Sequence, residues 1–159
     1  FEKNFKRKSI QNIKKFKLKV IFVFFKKKDN NQKEDFLIKI CALLIHAAKI
    51  DQEYTTKEEE IIKNTLLELG LKKENLSNTI KEAKIIEENS NQILDFTREV
   101  KNLSDLEKIK IIEALWSIIY SNQDADIYET NLMRRLAGLL YIDSKTMGDI
   151  KNKIKKNYS

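Results

Sequence analysis

Two short acidic stretches hold the residues best suited to chemistry: Asp51-Gln-Glu-Tyr-Thr-Thr-Lys-Glu58 and Asn122-Gln-Asp-Ala-Asp-Ile-Tyr-Glu129. Each places side-chain oxygens at its first, third and eighth residues, a set that could converge on a hard divalent cation such as Ca²⁺ or Mg²⁺. Neither stretch is an EF-hand. The glycine needed at the sixth loop position is missing, and the twelfth is Ile62 or Met133 where a bidentate glutamate is required. A second reading needs no metal. Thr55-x-x-Glu58 has the form of a capping box and Asp126-x-x-Glu129 resembles one, so the same carboxylates could close helix N-termini. A third reading, paired carboxylates in acid–base catalysis, lacks both a nucleophile and a phosphate-cradling loop.

Other reactive residue types stand alone. His46, the sole histidine, sits beside Ala47 and Ala48 and reads as a packed or partly exposed side chain. Cys41, the sole cysteine, excludes an internal disulfide and reads as a small buried hydrophobe. Trp116 falls in an apolar run and reads as a core anchor, and Arg134–Arg135 as a solvated face. The expectation is a protein that is not an enzyme.

The elements that must position these residues are helical. The chain of 159 residues has no proline and three glycines, too little turn chemistry for an all-β or α/β fold. Apolar spacing predicts helices over 35–49, 56–69, 74–88, 91–102, 105–120, 127–141 and 144–156, with Gly70 stopping the second. In the first, Phe36, Leu37, Ile40, Leu44 and Ala48 share one face. Shifting the chain by 71 residues lays Ile40–Leu71 over Ile111–Ile142, so that Leu44 meets Leu115, Glu53 meets Asp124, Glu58 meets Glu129 and Leu71 meets Ile142. Each copy is an apolar helix, an acidic loop and a second apolar helix. A pseudo-twofold pair of helical hairpins is the expected architecture.

Charge divides the chain. Of the net +7, residues 1–35 contribute 12 Lys/Arg against 4 Asp/Glu, leaving a mildly acidic middle. Residues 1–28 read as a basic amphipathic helix and 29–34 as a polar linker, so the expected division is an arm and linker over 1–34 and a helical domain over 35–159. Phe16 and the apolar run Val20, Ile21, Phe22, Val23, Phe24 and Phe25, closed by Lys26, Lys27 and Lys28, could lie on an anionic membrane surface. Six helical residues span roughly 9 Å, too short to cross a bilayer or to serve as a secretory core. Docking on protein is the competing reading. Nucleic acid is the weakest, because phenylalanines beside the lysines suit an amphipathic surface better than bare phosphate.

Cys41–Glu58, the Leu115-Trp116 pair and Tyr120–Leu140 resemble the TerB-like family, known from tellurite resistance. Its hallmark is an alanine-rich helix ending in an Ala-Asp-Gly-Glu-like loop, with a glutamate opening the next helix, present twice. Here the copies are Lys49-Ile50-Asp51-Gln52-Glu53 with Glu58, and Ser121-Asn122-Gln123-Asp124 with Tyr128-Glu129; Asp95-Phe96-Thr97 matches a further short family segment. The resemblance spans about residues 36–150. It implies an all-α fold of about seven helices in a bacterial accessory protein of metal or chemical stress, cytoplasmic or peripheral on the inner membrane, with a protein partner or a membrane complex, or else a co-chaperone-like interaction module. It also implies a divalent cation on Asp51, Glu53, Glu58, Asp124 and Glu129. Two departures bear on that ion. Gln52 and Gln123 replace the loop glycines, resisting a left-handed turn, and Asn122 replaces an aspartate, removing one charge.

Overall fold

A computed structural model describes residues 31–50, 54–90, 94–121 and 127–159. The basic stretch up to residue 30 and the residues Asp51–Glu53 and Asn122–Asp126 lie outside that set. The chain divides into two compact units, Phe1–Asp35 and Phe36–Ser159.

The described residues are helical, with no strand among them. In order they form α1 over 31–48, α2 (Thr56–Glu68), a 3₁₀ turn (Lys73–Asn75), α3 (Leu76–Asn89), α4 (Leu94–Val100), α5 (Asp105–Ser121), α6 (Ile127–Leu139) and α7 (Ser144–Tyr158). Each of the seven expected helices is present. One segment differs. Residues 31–34, read from their polarity as linker, are already helical. Gln, Lys and Glu are good helix formers, and a solvated turn is polar for the same reason a linker is.

Helices α1 and α5 contribute the most residues to the core, and the other helices pack buried side chains against them. In α1, Leu37, Ile40, Cys41, Ala42, Leu43, Leu44, Ile45, Ala47 and Ala48 are almost wholly excluded from solvent. The expected single apolar face is therefore too narrow a description, and its first member, Phe36, is only partly buried. From Leu37 onward the helix is enclosed on most sides, which leaves little amphipathic stripe to read. In α5, Ile111, Ile112, Ala114, Leu115, Trp116, Ile118, Ile119 and Tyr120 are buried.

Polar contacts give the directions around α5. Lys57 near the start of α2 donates to the Ser121 carbonyl at 3.3 Å, and Lys110 reaches the Glu68 carbonyl at 3.4 Å, so α2 runs antiparallel to α5. Helix α7 runs parallel to α5. Asp105 and Lys108 share a pocket with Asp143 and Thr146, further along Lys153 bonds Glu113 at 2.6 Å, and at the far end Lys57 lies over the Tyr158 ring.

Helices α2 and α6 stop in the same way. After α2, Gly70 takes φ 94°, and the amides of Gly70 and Leu71 bond the carbonyls of Leu67 and Leu66. After α6, Tyr141 takes φ 55°, and the amides of Tyr141 and Ile142 bond the carbonyls of Gly138 and Ala137. Both are Schellman turns, at positions 71 residues apart. Glycine enters the left-handed region without strain, whereas Tyr141 bears roughly 1–2 kcal/mol there.

Candidate functional site

The N-terminus of α2 is built from Tyr54, Thr55, Glu58 and Glu59. Thr55 is the N-cap, extended at φ −93° and ψ 160°. Its hydroxyl accepts from the Glu58 amide at 3.2 Å, while Glu58 Oε2 accepts from the Thr55 amide at 2.7 Å and the Thr55 hydroxyl at 2.9 Å. This is the reciprocal capping box expected from the spacing. An ionised carboxylate has about four lone-pair sites, so the cap does not exhaust Glu58 as an acceptor.

Burial distinguishes this glutamate from a routine cap. Ser104 and Glu107 make the same three contacts at the start of α5, at 2.7–3.4 Å, but on the surface. Glu58 is 1% exposed, and Glu129, in the first turn of α6, is 6% exposed. Burying a carboxylate is unfavourable unless donors or cations compensate it. The two glutamates thus occupy like positions, each closed off from water on a helix that follows an acidic stretch. Among the described residues no group of three or more His, Cys, Asp or Glu could hold a metal ion. The remaining candidate ligands, Asp51, Glu53 and Asp124, lie outside the described residues, as does Asp126. Replacing Thr55 with alanine removes both the hydroxyl that caps α2 and one donor to Glu58. The expected loss is about 0.5–2 kcal/mol with no metal added, read by chemical denaturation. An unchanged midpoint would mean that this box contributes nothing.

A second group, not anticipated from the sequence, surrounds Glu59. Lys63 holds its carboxylate at 2.8 Å and Lys84 of α3 at 3.4 Å. Hydrogen bonding from Lys63, with Lys84 adding to it, keeps the carboxyl below its ordinary range. Lys84 also lies 5.1 Å from the Tyr54 ring centroid. The Tyr54 hydroxyl is buried; burial raises its pKa, and the neighbouring Glu59 carboxylate raises it further. Burial also pushes the Cys41 thiol up to about 12, against a smaller downward pull from Lys84. Cys41 is therefore a neutral thiol inside the core and unsuited to nucleophilic catalysis. Only the packing of α3 on α2 brings Lys84 to Tyr54 and Glu59, which are remote from it in sequence.

His46 is partly exposed, with Nδ1 3.2 Å from Glu87 Oε1, and Lys49 holds the other oxygen of Glu87 at 2.7 Å. These contacts fasten the end of α1 to α3. The His46 ring lies 6.2 Å from that of Phe96, consistent with the packed, partly exposed role expected for a lone histidine. Trp116 is 2% exposed and stacks with Tyr120 at 5.8 Å, as expected of a core anchor. No described helix is long and apolar enough to cross a membrane. The proposed membrane-binding residues, Phe16, Val20, Phe22, Phe24, Phe25 and Lys26–Lys28, lie outside the described residues.

Compared with known proteins, residues 37–152 match the family model described as tellurite resistance protein TerB. No curated protein and no solved structure matches the chain.

Proposed function

The chain belongs to the TerB family, and from that premise we propose a non-enzymatic accessory protein of the tellurite-type chemical stress response, which works by binding. The observation that carries this reading is the pair of buried carboxylates, Glu58 and Glu129, each on a helix that follows an acidic stretch. All-oxygen donors suit a hard cation of the Ca²⁺ or Mg²⁺ type. Asp51, Glu53 and Glu58 from one copy, with Asp124 and Glu129 from the other, are the residues that would hold it. A bound cation would supply positive charge to carboxylates shielded from water and so tie each loop to the helix it precedes. The reading has no catalytic step.

A thermal-shift titration with Ca²⁺, Mg²⁺, Mn²⁺ and Zn²⁺ tests it. At a concentration tenfold above Kd, ligand binding adds about 1.4 kcal/mol, a rise in Tm of several degrees for a domain this size. Asp51→Asn with Asp124→Asn should abolish that rise while leaving the metal-free melt nearly unchanged. A wild-type Tm that stays fixed at millimolar metal would overturn the ion reading. It would favour a protein-interaction module whose loops, with Gln52 and Gln123, have lost the cation.

The reading includes peripheral membrane attachment through Phe16, Val20–Phe25 and Lys26–Lys28. The intact chain should pellet with anionic vesicles at low salt, release as salt rises, and stay in the supernatant once residues 1–28 are deleted. Failure of the intact chain to pellet would leave docking on protein as the role of the arm.

A further inference from the structure

The geometry points to a further binding site among the described residues: a cationic pocket between α6 and α7, over Trp116 of α5, that takes a small organic carboxylate with an apolar tail. The pocket has a volume of about 230 Å³. That is below the roughly 300–1,000 Å³ typical of sites for drug-sized molecules, so the ligand must be small. Met133, Ala137 and Met147 supply apolar wall, and Arg134 and Lys151 supply positive charge. Among the described residues no carboxylate lines the pocket. An anionic head with a short hydrocarbon body fits this division; a bare inorganic ion would leave the apolar wall unused.

Two further observations converge here. The indole N–H of Trp116 is buried and has no hydrogen-bond partner among the described residues. The Lys151 ammonium lies 5.2 Å from the centre of the same ring, at the end of a long flexible side chain. A carboxylate held by that ammonium would sit beside the indole ring, so its binding would be felt at Trp116. The other observation is Gly148. It lies inside α7, where glycine is a poor helix former, and a Cβ added there would meet nothing within 4 Å. Packing therefore does not demand glycine at this position. Its missing side chain keeps one wall of the pocket open.

Trp116 is the only tryptophan in the chain, so its indole resonance and its fluorescence report on this pocket alone. The test is a titration of the full chain with hexanoate, using 1-hexanol and chloride as references. Hexanoate is expected to shift the Trp116 indole N–H saturably, with a Kd on the order of 1–10 mM, while 1-hexanol and chloride give at least tenfold weaker responses. Arg134→Gln should weaken hexanoate binding by about tenfold. Gly148→Leu should abolish it, with circular dichroism and a Tm at or above wild type showing that the fold is intact. No saturable shift at tens of millimolar, an equal response to either reference, or undiminished binding in Gly148→Leu would each overturn the proposal.

Discussion

At pH 8, a thiol reagent should modify Cys41 in the native protein at least about a thousandfold more slowly than in the guanidinium-unfolded chain. Cys41 is 0% exposed, and burial pushes its thiol up to about 12 from an ordinary value near 9. The thiolate is the reactive form, so a shift of this size alone lowers its population roughly a thousandfold. Exclusion of the reagent adds to the protection. Labelling should then proceed through opening of the core, and its rate should follow global stability as denaturant is added.

The same shift governs alkaline stability. The folded-state value is raised, so the stabilisation is complete below about pH 9 and is lost as pH rises toward 12. Ionisation in the unfolded state lowers stability by about 1.4 kcal/mol per pH unit through that window, roughly 4 kcal/mol in all. Tyr54, also raised, acts in the same direction at higher pH. Lysines titrate there too, so the deciding comparison is with Cys41→Ala. Its stability should fall less steeply between pH 9 and 11 than that of the wild type. Equal slopes, or native labelling as fast as unfolded labelling, would show that Cys41 is not held neutral in the core.

Leu115→Ala should be among the most damaging single substitutions in the body. Leu115 is 0% exposed on α5, which packs against α2 and α7. Truncation removes buried hydrocarbon and leaves a cavity that the surrounding helices can only partly close, at about 2–5 kcal/mol. Against a total stability on the order of 5–15 kcal/mol, that means a Tm lower by roughly 4–20 °C. Leu106→Ala on the same helix provides the contrast. Leu106 is 75% exposed, so the same truncation should change stability by no more than about 0.5 kcal/mol. Similar losses for the two variants, measured by urea denaturation, would contradict the central place given to α5.

What the sequence determined by itself was local. Helix periodicity, the Gly70 stop and the Thr55-x-x-Glu58 cap depend on residues within a few positions of one another, and their spacing can be read directly. The doubled loop motif with Leu115-Trp116 identified the family for the same reason, because its residues stand in fixed register along the chain. Polarity misled at residues 31–34, since it does not distinguish a solvated helical turn from a linker. The left-handed Tyr141 carried no signal either, because tyrosine has no preference for that conformation.

Tertiary structure decided which side chains lose water and which distant ones meet. The near-complete burial of α1 from Leu37 onward depends on neighbours covering more than one of its sides, and this erases the polar stripe that periodicity detects. The Tyr54–Glu59–Lys84 cluster joins α2 to α3, and the Trp116 pocket joins three helices. Contacts between elements far apart in the chain leave no spacing rule in the sequence. The burial of Glu58 and Glu129 is of the same kind: a capping motif specifies a hydrogen bond, but only packing determines whether the carboxylate that makes it is shut away from solvent.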